Sequence, residues 1–216
     1  MAGSAVVVRT GKRDLSSEGC LSGNGRELVK HLNSPQITFT LMNWKELLET
    51  QLESAFKVAE RLVRLLDEKD LAWKPTDGSN WMTTGQLLLH MGKSCGVPIK
   101  GFATGDWDMP AHSEMDEKKA ERKMPPPAEE LKSVSTIEEA LKLLTLDKAI
   151  AFETLNHCSE EELESKRTPA PWDPTPINLG LRILQMIDHL NQHKAQLFYY
   201  LKLQGKPVNT FHLYGK

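Results

Sequence analysis

Residues 178–207 read NLGLRILQMIDHLNQHKAQLFYYLKLQGKP, and this stretch decides the fold. Ile183, Ile187, Leu190, Leu197 and Leu201 fall on one stripe of an α-helix. Asn178 stands at the N-cap position, Gly205 just past the last patterned residue, and Pro207 beyond it. The spacing predicts a helix from Asn178 to Gln204. Met186, His189, His193 and Tyr200 form the neighbouring stripe. His189 and His193 are four residues apart, so both rings leave the same face with Cβ atoms about 6 Å apart. Two ring nitrogens at that spacing can converge on one metal ion.

Three further helices are expected upstream. The first opens at Asn43, with Glu46 at the capping-box spacing, and carries Leu48, Leu52, Ala55, Phe56, Ala59, Leu62, Val63 and Leu66 to about Asp67. The second opens at Thr83, with Gln86 at the box position. Leu87, His90 and Met91 share a face, and Gly92, Gly96 and Pro98 predict a kink before an end near Phe102. The third opens at Thr136, with Glu139 three residues on, and carries Ile137, Ala140, Leu141, Leu144, Ala151 and Leu155.

Two proline-rich loops, 104–135 and 158–177, separate these helices, and the charged run Glu114–Lys123 reads as a short solvated helix within the first. No β pattern of any length is read. Four amphipathic helices imply an all-α, four-helix bundle. Residues 1–41 mix Gly, Ser, Asn and charges without a period, apart from a turn of helix at Leu28–Leu32. They are expected to be a disordered extension to a domain spanning 42–216, and Met42 marks a candidate alternative start.

Composition narrows the function. With 27 basic and 29 acidic residues, there is no clustered positive charge for nucleic acid. No apolar run has the length of a membrane span, and the patch Ala5–Val8 is too short for a secretion signal. Cys20, Cys95 and Cys158 show no pair spacing, which suits reduced thiols in a cytoplasmic protein.

The histidines also exclude chemistries. Leu190 follows His189 where a metalloprotease helix carries its glutamate, so no built-in base is present. No histidine has an acid three residues before it, which excludes a di-iron carboxylate bundle. His90, His189 and His193 together would form an open site of three neutral nitrogens. His31, His112, His157 and His212 read as surface residues, and Cys95 as a packed thiol. Gln86, Asn191 and Gln196 are candidates to support the site, and Trp107 and Trp172 to wall a substrate mouth.

Three pieces of the chain carry a family resemblance. They are Trp81-Met82-Thr83-Thr84-Gly85-Gln86-Leu87-Leu88-Leu89-His90, Asp188-His189-Leu190-Asn191-Gln192-His193-Lys194-Ala195-Gln196-Leu197, and the helix exit Tyr200–Val208. In order and separation they resemble the DinB-like (DinB/YfiT) superfamily of metal-dependent proteins, over about residues 42–208. The resemblance implies a four-helix bundle with a long crossover between helices 2 and 3. It implies a divalent metal, zinc or nickel, at His90, His189 and His193, and homodimers. The expected function is a divalent-metal-dependent enzyme, a thiol transferase or hydrolase acting on a small molecule, possible substrates including a low-molecular-weight thiol. The alternatives are a non-enzymatic metal-stabilised binding or stress-response protein, and a bundle whose site holds no metal.

Overall fold

The computed structural model describes residues 43–107 and 126–216. The extension 1–41, Met42, the turn at 28–32, Cys20, His31, His112 and the charged run 114–123 lie outside the described residues. The chain is mostly helical over the described residues. Its elements are α1 (Trp44–Val63), α2 (Thr84–Met91), α3 (Gly96–Thr104), α4 (Ile137–His157), α5 (Glu160–Ser165), β1 (Arg167–Ala170), β2 (Asp173–Asn178), α6 (Leu179–Leu203) and α7 (Thr210–Leu213).

The predicted caps form. Asn43 accepts from the Glu46 N–H at 2.9 Å, Thr136 from the Glu139 N–H at 3.0 Å, and Asn178 from the Leu181 N–H at 3.0 Å. Thr83 and Gln86 make a reciprocal capping box. α6 ends in a Schellman motif, in which the Lys206 N–H donates to Leu201 O and the Gly205 N–H to Lys202 O. Gly205 takes φ +76°, a conformation glycine adopts without steric cost.

α1 packs on α4 and α6, and its stripe Leu48, Leu52, Phe56, Ala59 and Leu62 is buried. α2 touches α6 and α4, and α3 packs on both. The core runs between them through Leu87, Met91, Ile99, Leu144, Leu155, Ile183, Leu190 and Leu197.

Two expectations are corrected. The second helix does not kink; it divides into α2 and α3 at Gly92–Cys95. Pro98 falls in the first turn of α3, where helix N–H groups have no intrahelical partner, so its missing donor costs nothing. Those donors turn to Asp147 of α4, whose carboxylate accepts from Cys95, Gly96 and Val97 at 3.1, 2.9 and 2.9 Å. A Cβ on Gly96 would stand 1.9 Å from the Asp147 carbonyl oxygen, so only glycine allows α3 to approach α4 this closely.

The segment 158–177 is not a plain loop. It holds α5 and an antiparallel hairpin, with Arg167 opposite Asn178, Thr168 opposite Ile177, and Ala170 opposite Asp173. Four prolines made it read as unstructured. In a two-stranded ribbon half the N–H groups point outward, and proline is tolerated there. Arg182 clasps the ribbon to α6. It is buried and donates to Thr168 O at 3.2 Å, to Asp173 Oδ2 at 3.2 Å and to Thr175 O.

Candidate metal centre

His90 lies one residue before the end of α2, and His189 and His193 lie on successive turns of α6. Antiparallel packing of α2 on α6 brings all three together. His90 Nε2 is 3.2 Å from His189 Nε2, and His189 Nε2 is 2.8 Å from His193 Nε2. The His90 ring stands edge-on to His193, centroids 4.5 Å apart. One nitrogen from each ring lies within 4.8 Å of the other two.

This geometry suits a metal. Zinc–nitrogen bonds of about 2.0–2.1 Å at roughly 90–110° place ligand nitrogens about 2.9–3.4 Å apart. The His90–His189 separation of 3.2 Å falls inside that range, and the His189–His193 separation of 2.8 Å just below it. The donors are three imidazoles, which suit zinc and nickel among others.

The electrostatics favour neutral rings. Burial, reinforced by His193 and His189, pushes His90 down to about 4. His90 shows part of its surface to solvent, yet its Nε2 is turned into the cluster. His189 and His193 are also held below the ordinary value, chiefly by burial, against the opposing pull of Asp188 on the first and of Gln196 on the second. All three histidines are therefore neutral at pH 7.

A pH dependence follows. The unfolded chain takes up protons on these rings near pH 6.5, and the metal-free fold resists them down to about 4 at His90. Stability of the chelator-treated protein is therefore expected to fall as pH drops from 6.5 toward 4. Melting curves across that window check it, and His90→Gln should flatten the slope. A slope unchanged in that variant would contradict the assignment.

The surroundings divide the other candidates. Gln196 Oε1 lies 3.1 Å from His193 Nδ1. Gln86 is occupied elsewhere: its oxygen accepts from the Thr83 N–H, and its amide nitrogen donates to Ala128 O and Leu131 O. Asn191 accepts from Lys194. Trp107 and Trp172 meet edge-on at 5.9 Å and both pack edge-on against Phe102, near Arg182. Arg182 precedes His189 by seven residues of α6, about 10.5 Å along the axis. Trp81 packs on Tyr200 instead. His157 is exposed, as expected, His212 is half-buried, and Cys95 is buried with its thiol pushed up by burial.

A cavity of about 180 Å³ opens beside His90, between Gln86, Leu89, Lys93, Leu131 and Lys132. Its outer wall comes from the expected crossover segment, and no residue of 158–177 lines it. A larger cavity of about 520 Å³, bordered by Lys100, Glu153, His157 and Cys158, contains none of the three histidines. Two contributors escaped the sequence reading. Asp147 was signalled only as a lone acid in the apolar stripe between Leu144 and Ala151, and Arg182 gave no signal.

A sequence model of the DinB superfamily matches residues 51–197, about two thirds of the chain, and the chain belongs to that superfamily. The fold is similar to the crystal structure of a DinB-like protein from Bacillus subtilis. The TM-score is 0.53 at 14% identity, over 77% of this chain and 97% of that one. No curated protein matches the sequence. Among the described residues, no helix is long and apolar enough to cross a membrane.

Proposed function

We propose that the chain is a divalent-metal-dependent enzyme acting on a small molecule, with His90, His189 and His193 holding the ion. The observation that carries this reading is the convergence of three neutral imidazole nitrogens, at 3.2 and 2.8 Å along the cluster, from two separate helices. In this reading α1, the divided α2–α3, α4 and α6 are the four helices of a bundle, with the crossover leading into α4. The ion, zinc or nickel, would supply a Lewis acid that lowers the pKa of a bound nucleophile. Three protein ligands leave at least one coordination position open, which is the pattern of a reactive rather than a purely structural site. The neighbouring cavity at His90 suits a small substrate. The reaction class is a transfer to or from a low-molecular-weight thiol, or hydrolysis of a small ester or amide. We place the protein in the cytoplasm as a homodimer.

Metal analysis of protein purified without chelator or nickel resin tests the centre. About one equivalent of divalent metal per chain is expected, and His193→Ala should lose it. A wild-type protein that arrives empty and takes up neither zinc nor nickel on titration overturns the reading. Turnover of small electrophiles with thiols, and of simple esters and amides, then tests the chemistry on the loaded protein. If loaded protein turns over none of these, the non-enzymatic reading takes its place.

A further inference from the structure

His193, Gln196 and Tyr200 lie on one face of α6 at spacings of three and four. Their polar atoms form a single chain. His193 Nδ1 is 3.1 Å from Gln196 Oε1, Gln196 Nε2 is 3.1 Å from the Tyr200 hydroxyl, and that hydroxyl is 3.0 Å from the backbone carbonyl of Met82. Tyr200 is buried, with its ring held edge-on by Trp73 at 5.1 Å and Trp81 at 6.4 Å.

The direction of this chain is fixed from its far end. A backbone carbonyl only accepts, so the Tyr200 O–H donates to Met82 O. The Tyr200 oxygen is then left to accept, and within Gln196 only the amide nitrogen can donate to it. The amide oxygen must therefore face His193. That oxygen also only accepts, so the proton of His193 sits on Nδ1. The lone pair is left on Nε2, the atom turned toward His189 and His90. Among the described residues no comparable partner meets Nδ1 of His90 or His189, so His193 is the one whose tautomer is set from outside the cluster.

We propose that Gln196 and Tyr200 are positioning residues that hold His193 in the tautomer a metal ligand requires, with the loop carbonyl of Met82 as the anchor. Hydrogen bonding of the non-ligating nitrogen fixes both tautomer and ring orientation in metal sites. The consequence for affinity rests on the metal reading above. The tautomer itself does not, because it is a property of the metal-free protein.

The test uses the full chain. In ¹⁵N-imidazole NMR of chelator-treated protein, His193 should show its proton on Nδ1. Gln196→Leu should move it toward Nε2 and weaken zinc binding by about 10–100-fold, measured by competition with a chromophoric chelator. Gln196→Glu supplies an oxygen that accepts the same proton, so it should restore both tautomer and affinity. Tyr200→Phe keeps the ring packing but frees the amide to turn over, and should weaken zinc binding less than Gln196→Leu while mixing the tautomers. A merely structural role would not separate Leu from Glu at position 196. A wild-type His193 protonated on Nε2, or a tautomer unmoved in Gln196→Leu, overturns the proposal. Wild-type protein that binds no zinc yet shows the expected tautomer leaves the positioning intact and sinks the metal reading instead.

Discussion

Removal of divalent metal is expected to lower the melting temperature of the wild-type protein by roughly 8–16 °C. An ion bound only by the folded state stabilises it by mass action, about 4 kcal/mol when free metal exceeds Kd a thousandfold. A domain of this size loses about 2–4 °C per kcal/mol. The convergence of ligands from two helices is what couples binding to folding. His90 lies on α2, whereas His189 and His193 lie on α6, so the site exists only when the two helices are docked. His90→Ala and His193→Ala should each remove most of the metal-dependent increment. Each variant should melt at nearly the same temperature with zinc as in excess chelator, whatever its metal-free stability. Calorimetric scans with and without zinc, at one protein concentration, measure the increment. Equal melting temperatures in zinc and in chelator for the wild type would rule out a metal coupled to the fold.

The pair His189 and His193 was legible because helical periodicity fixes what lies four residues along a face, whatever the tertiary structure. His90 was legible only as a candidate. Its partner helix is ninety-nine residues away, and no local rule says which faces meet. The helix boundaries followed from local chemistry at Asn43, Thr83, Thr136, Asn178 and Gly205, and their caps formed. The hairpin at 167–178 was hidden because proline removes the donors by which strands are usually recognised, and nothing local reveals that those positions face outward. The buried Arg182 that secures it was invisible for a related reason. A lone arginine on a helix reads as solvated until the backbone carbonyls it meets, at 168 and 175, are brought to it. Gln196 was legible as a neighbour of His193 on its helix face, but its direction was not. That depends on the Met82 carbonyl, which arrives from another segment.

Asp147→Ala is expected to cost about 3–5 kcal/mol, a fall in melting temperature on the order of 10 °C. Asp147 is 1% exposed, and its carboxylate receives three backbone N–H groups at the start of α3, two of them buried. Alanine would strand those donors, each at about 1–3 kcal/mol when no water reaches it. The tight approach at Gly96 leaves little room for water. The loss should fall on α3 more than on the histidines, because α3 depends on this cap whereas α2 has its own at Thr83. Hydrogen exchange should therefore show faster exchange at 95–104 in Asp147→Ala, with α6 amides slowed as before relative to global unfolding. Zinc affinity measured well below the transition should change much less than in His193→Ala. Asp147→Asn keeps one acceptor but turns an amide toward the same donors, and should lose an intermediate amount. If Asp147→Ala loses less than about 1 kcal/mol, the division of the second helix must be held by Pro98 and the apolar packing of Ile99 and Phe102 alone, and the carboxylate is not what starts α3.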